Sequence, residues 1–213
     1  MASTIIHMAV ANEINKVLKR NDNQLLIGSI SPDVSKLVGE TKLYSHFLDS
    51  DDTDIPNIDR FLDRYKDNLN DDFVLGYFIH LYTDYLWFKY FVPEVFDEVF
   101  VTKLDGTKIR CTGNMIDMYI YNDYTNMNEQ LIEKYNLDLK IFYVRSEHFN
   151  NIIKEIPMDK LDLILDKTIE IIENTKVKKD LVLDIKNIEK FIRTATELTV
   201  SKLKELEVIK WKY

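Results

Sequence analysis

The 213-residue chain is long enough to enclose one core of ordinary size. Its formal net charge of −8 argues against specific binding of a nucleic-acid duplex, which depends on Lys and Arg neutralising phosphates. A single cysteine, Cys111, excludes an internal disulfide framework and a cysteine-based metal site. Only five Gly and four Pro interrupt long windows of period 3.6, which predicts an all-α, single-domain multi-helix bundle spanning 1–213.

Ser3 or Thr4 is placed to cap a first helix to about Arg20, with Ile6, Val10, Ile14, Val17 and Leu18 as its apolar stripe. Its opening residues lack a basic segment, and Glu13 interrupts them early. No run of about 18 apolar residues occurs. A cytoplasmic protein with at most peripheral membrane contact is therefore expected. The stretch QLLIGSISPDVSKL is broken near Ser31, because the residue before Pro32 is pushed out of the α region. After a polar loop, IDRFLDRYKDNL reads as a short amphipathic helix. Asp71 or Asp72 caps a long helix to Phe91, extending toward Phe100 beyond Pro93. Asp105-Gly106 marks a turn or small hairpin within 101–113. A helix from Asn114 to about Tyr135 follows, then two amphipathic helices near 158–176 and 184–207.

Several polar residues lie on apolar faces. In GYFIHLYTDYLWF, residues 76–88, His80 and Asp84 share one helix face at i, i+4 with Phe73, Gly76, Tyr77, Trp87 and Phe91. Burying an ionised carboxylate there is costly unless it is paired or bound to a cation, and a His and carboxylate at this spacing can chelate one ion. A buried His–Asp hydrogen bond or a partly wet face would serve equally well. Gly76 leaves room over that face. His7 falls on the stripe of the first helix, where a core histidine with one hydrogen bond is the bland alternative. Asp33 either serves a site or caps the next helix. His46 has no firm helical frame, and a surface histidine is its plain reading. Asp123 aligns with Ile116, Ile120 and Met127 rather than facing water. His148, beside Glu147, reads as peripheral. Together these histidines and aspartates, from separate segments and without cysteine, suit a nitrogen/oxygen site for Zn²⁺ or a similar ion.

The order of the pieces carries further meaning. His7 in a first helix, GSISPD ending in Asp33, His46 in HF, and GYFIHLYTD with His80 and Asp84 resemble the bacterial zinc-dependent phospholipase C family. That family shares an all-helical fold with the P1/S1-type nucleases, and the likeness covers roughly the first 90 residues. It implies that Asp33, His46, His80 and Asp84 hold one zinc, and that Asp84 bridges to a second ion to which His7 contributes. It also implies hydrolysis of a small phosphoester or phospholipid by metal-activated water, with Asp33 and Asp84 in catalytic positions. The family's amino-terminal tryptophan has no counterpart on a chain starting at Met1. No further histidine occurs in WFKYFVPEVF, and His148 is followed four positions on by Ile152 instead of glutamate. One or two ions are therefore expected, with Asp123 a candidate substitute ligand. An HD-type phosphohydrolase is disfavoured, since none of the four histidines precedes an aspartate. A non-catalytic helical metal- or anion-binding protein is the alternative.

Overall fold

The computed structural model describes residues 2–96, 100–110, 113–143, 149–173 and 182–209, with backbone only for 113–118. It is mostly helical. Helix α1 spans Thr4–Leu18, with the Ser3 side chain accepting from the Ile6 amide at its start. Helix α2, Asp22–Gly28, leads into a 3-10 turn at Ser31–Asp33, then short helices α3 (Val34–Leu37) and α4 (Lys42–Ser45). Helix α5 covers Ile58–Tyr65 and α6 covers Asp72–Leu86. Asp71 caps α6 by accepting from the Phe73 and Val74 amides at 3.0 and 3.1 Å. The axis continues through a π-helical turn at Trp87–Phe91 into α7, Val92–Val95, which ends short of the expected Phe100. Strands β1 (Phe100–Thr102) and β2 (Lys108–Arg110) form the hairpin, with Gly106 at φ 85° in its turn. Helices α8 (Gly113–Tyr135), α9 (Leu161–Glu173) and α10 (Ile185–Glu205) complete the order. The expected ends of the last two helices agree closely, apart from 174–176, which lie outside the described residues, as do Cys111 and His148.

Helices α1 and α6 are central because their sequences are apolar almost all round. A helix with no polar face must be enclosed on every side. Ile5, Ile6, Met8, Ala9, Val10, Ala11 and Ile14 of α1 are fully buried. In α6, Phe73 through Leu81 are buried without a gap. Around them pack α2, α8 and α10. The expected stripe of α1 fails at Val17, which is 55% exposed, because the helix ends at Leu18 where its last turn leaves the core.

Trp87 is buried against Phe91, Tyr124 and Phe191, so this aromatic serves the core. Among the described residues no helix is long and apolar enough to cross a membrane.

Helices α2 and α6 approach backbone to backbone. A Cβ added to Gly76 would lie 2.1 Å from the Leu25 carbonyl oxygen, and one on Gly28 would lie 2.3 Å from that of Phe73. The room over Gly76 is thus filled by the backbone of α2. That approach brings the end of α2 to the face of α6 that carries His80.

Candidate metal centre

His7, Asp33, His46, His80 and Asp84 converge on one buried cluster. All three histidines are at most 1% exposed, Asp84 is fully buried and Asp33 is 8% exposed. Within the cluster, His7, His80 and Asp84 make one group that could hold an ion, and Asp33, His46 and His80 make another. Each member is placed by a local feature of the chain. His7 and the His80–Asp84 pair come from the two central helices. Asp33 sits just before α3 yet makes no side-chain cap bond, so its carboxylate is left to the cluster. His46 ends α4, and the chain then reverses through Phe47 at φ 53°, a conformation rare for a bulky residue. The Phe47 ring is held by Phe61, Tyr65 and Tyr77, which stabilise this turn.

Hydrogen bonds outside the cluster decide which ring nitrogens carry protons. His80 Nδ1 lies 2.8 Å from the Ser29 carbonyl oxygen, which can only accept, so the proton sits on Nδ1. For His46 the same conclusion follows through a relay. Ser35 Oγ donates to the Pro32 carbonyl at 3.1 Å. Its single proton is then spent, so it accepts from Ser45 Oγ at 2.8 Å. Ser45 Oγ in turn accepts from His46 Nδ1 at 2.9 Å. Both histidines therefore present bare Nε2 lone pairs to the cluster, and these face each other at 3.2 Å.

A proton bridging the two nitrogens could relieve that contact, but burial opposes it. Burial lowers the pKa of His46, and it drives that of His80 well below the ordinary value, with His7 adding to the effect. The carboxylates stay ionised. Burial would raise Asp33, but His46, Lys36 and His80 more than reverse this. With the His46 Nδ1 proton committed to Ser45, the Lys36 ammonium at 3.3 Å is the contribution with clear geometry. Burial of Asp84 is likewise outweighed, chiefly by His7, and its pKa falls far below the usual carboxylate range.

The result is an array in which acceptors outnumber donors. Asp33 Oδ1 and Asp84 Oδ2 are buried and accept no hydrogen bond. Asp84 Oδ2 lies 3.6 Å from His80 Nε2 and 3.8 Å from His46 Nε2, while Asp33 Oδ1 lies 3.6 Å from His46 Nε2. Four ligands about 2.0–2.2 Å from a tetrahedral zinc would stand roughly 3.3–3.6 Å apart. Four of the six pairs, at 3.2–3.8 Å, lie close to that spacing, while Asp33 and Asp84 fall in different groups that share His80. Asp84 Oδ1 faces the other way, accepting from the Ala2 amide at 3.1 Å and lying 3.3 Å from His7 Nε2. The His7 contact is misaligned for hydrogen bonding, and both ring nitrogens lack partners. The His7 ring stacks on His80 with centroids 3.8 Å apart.

Asp123 belongs to neither group. Although fully buried, its Oδ2 accepts from the Val182 and Leu183 amides at 2.7 and 2.8 Å, which ties the segment before α10 to α8. The apolar alignment of Asp123 thus reflects a backbone-binding carboxylate. Sequence reasoning passed over Ser29, Ser35, Ser45 and Lys36, which set the state of the cluster. Ser29 acts through its backbone carbonyl, which leaves no trace in side-chain type, whereas the pair of serines ten residues apart becomes meaningful only once folded.

Of the five cluster residues, Asp33 alone lines a cavity of about 270 Å³ beside the site. A separate cavity of about 450 Å³, between Tyr82, Tyr85 and Phe191, contains none of the five. No protein-family model, curated protein or solved structure matches this chain.

Proposed function

We propose that the chain binds a divalent cation, zinc by its donor set, at Asp33, His46, His80 and Asp84, and hydrolyses a phosphoric ester there. The observation behind this reading is the pair of bare Nε2 lone pairs 3.2 Å apart, flanked by Asp84 Oδ2, which accepts no hydrogen bond, and by the Asp33 carboxylate. Two imidazoles and two carboxylates suit zinc better than magnesium or calcium, which prefer oxygen alone. Asp84 turns one oxygen toward this set and the other toward His7, an arrangement suited to sharing a second ion. These five residues are also the ones that carry the resemblance to zinc-dependent phospholipase C.

When bound, a cation of this kind supplies a water acidified toward neutrality and a Lewis acid for a phosphoryl oxygen. The protein's part is positioning and proton transfer. Ser29 and the Ser45–Ser35 relay hold His80 and His46 in the ligating tautomer and fix their ring orientation. Asp33, at the edge of the 270 Å³ cavity, is where a substrate phosphate would arrive, and its carboxylate can accept the proton of an attacking water. Lys36, 3.3 Å away, keeps that carboxylate ionised and offers an ammonium to a phosphate oxygen.

Metal analysis of protein purified without chelator tests the site, with one to about two zinc or similar ions expected per chain. His80→Ala and Asp84→Asn are each expected to reduce this content clearly, and His7→Ala to remove at most the second ion. A metal-free parent, or unchanged content in His80→Ala and Asp84→Asn, would sink the site. Turnover of bis(p-nitrophenyl) phosphate and p-nitrophenyl phosphate then tests the chemistry. Bound metal without turnover of either would instead mark a binding or regulatory protein.

A further inference from the structure

His80 and His46 stand on very different supports. His80 rides on α6, a 15-residue helix enclosed by the core, whereas His46 follows the end of α4, which is only four residues long. A helix of one turn has little stability of its own, so the direction of the His46 ring must be fixed from outside. The carbonyl of Ser45, the last residue of α4, lies beyond the reach of any amide in that helix. The hydroxyl of Tyr77, on α6, donates to it. Directly after His46 the chain turns at Phe47 with φ 53°, which a bulky residue keeps only where its surroundings hold it there. The Tyr77 ring meets the Phe47 ring edge-on, with centroids 6.5 Å apart. One side chain therefore restrains the residues on both sides of His46.

Tyr77 is itself firmly held. It is fully buried, and its ring stacks on Phe61 with centroids 5.9 Å apart and planes within 7°. It precedes His80 by one turn of α6, so the two share a face of that helix. The same rigid element thus carries one donor nitrogen and the clamp for the other. The two Nε2 atoms it brings together are 3.2 Å apart. Lone pairs facing each other at that distance repel, and an unrestrained α4 would relieve the contact by turning His46 away. The Ser45–Ser35 bond does not prevent this, because it joins α4 to α3, another four-residue helix, and not to α6.

Resting on the metal reading above, we infer that Tyr77 is a positioning residue of the centre. Its hydroxyl ties α4 to α6, so that His46 and His80 face one ion position before an ion arrives. Tyr77 acts through His46 and contributes no ligand atom.

Tyr77→Phe removes one oxygen, keeps the ring and tests this in the full chain. Competition against a chromophoric chelator is expected to show zinc bound about tenfold more weakly, the lower end of what loss of an outer support of a ligating histidine costs. Tyr65→Phe is the matched comparison. It removes a neighbouring hydroxyl that donates to Glu155 at 2.7 Å, from a ring that also meets Phe47, and is expected to leave zinc affinity within twofold of the parent. Cobalt(II) bound in place of zinc reports ligand geometry through its visible absorption. That spectrum is expected to change in Tyr77→Phe and to match the parent in Tyr65→Phe, a distinction that a general loss of stability would not produce. Phe47→Leu loosens the same turn while the Ser45 carbonyl keeps its donor, and is expected to shift the cobalt spectrum in the same direction. An unchanged spectrum and zinc affinity in Tyr77→Phe, an equal change in Tyr65→Phe, or an unchanged spectrum in Phe47→Leu overturns the inference alone. A parent that binds neither zinc nor cobalt overturns the metal reading beneath it as well.

Discussion

Ser45→Ala is the most direct probe of the proton assignments on which the proposed metal centre rests. Ser45 is fully buried, accepts from His46 Nδ1 at 2.9 Å and donates to Ser35 Oγ at 2.8 Å. The alanine leaves His46 Nδ1 without an acceptor and Ser35 Oγ without a donor. The local backbone should hold, because the Tyr77 hydroxyl donates to the carbonyl of residue 45, which the substitution keeps. A buried polar group left unpaired costs about 1–3 kcal/mol, so the metal-free protein should lose about that much stability. The larger consequence concerns the tautomer. Once freed from Ser45, the His46 proton can move to Nε2 and donate to the bare Nε2 of His80, 3.2 Å away. In that state Nε2 of His46 cannot ligate a cation. Loss of the outer hydrogen-bond partner of a metal-ligating histidine typically costs 10–100-fold in affinity, about 1.4–2.8 kcal/mol. Competition for zinc against a chromophoric chelator measures the affinity, and urea unfolding with and without zinc measures the stability. A stability loss with unchanged zinc affinity would refute the relay as the device that sets the His46 proton.

Three further outcomes are expected. Gly76→Ala should destabilise by about 1–3 kcal/mol in urea unfolding, because its Cβ would lie 2.1 Å from the Leu25 carbonyl oxygen. It should also weaken zinc binding, since α2 must retreat and take the Ser29 carbonyl away from His80. Asp123→Asn should lower stability by about 1.5–3 kcal/mol, the scale of hydrogen bonds to a charged group, with zinc content unchanged because Asp123 serves the Val182 and Leu183 amides. Zinc at 100 times its Kd should stabilise the folded chain by about 2.7 kcal/mol. For a chain of this size that raises Tm by about 5–10 °C, reversed by chelator and absent in Asp84→Asn.

Much of the architecture could be read from local pattern. Asp71 ahead of an apolar run marks the start of α6, and Asp105-Gly106 marks the turn between β1 and β2. Such signals work because caps and turns are satisfied by residues a few positions apart. The same reading fails where neighbours distant in sequence take over. Val17 has the period of a core residue but lies where α1 leaves the core. Asp123 has the look of a ligand, but two amides about 60 residues away claim its carboxylate. Gly76 signalled open space, and the space is taken by the backbone of α2.

The amino-acid sequence by itself determined that the chain is helical and that His7, His80 and Asp84 sit on buried faces. Apolar residues repeating at helical spacing must be enclosed, and any polar residue in that register goes in with them. Tertiary structure alone decided what those residues became. The packing of glycine against backbone set Ser29 beside His80, and the turn after α4 brought His46 and the two serines into line. Only with these contacts formed do two histidines lose the protons from their facing nitrogens, and only then does a buried His–Asp cluster become an array of acceptors suited to a cation. Proton positions depend on partners from separate segments, which no local pattern in the chain encodes.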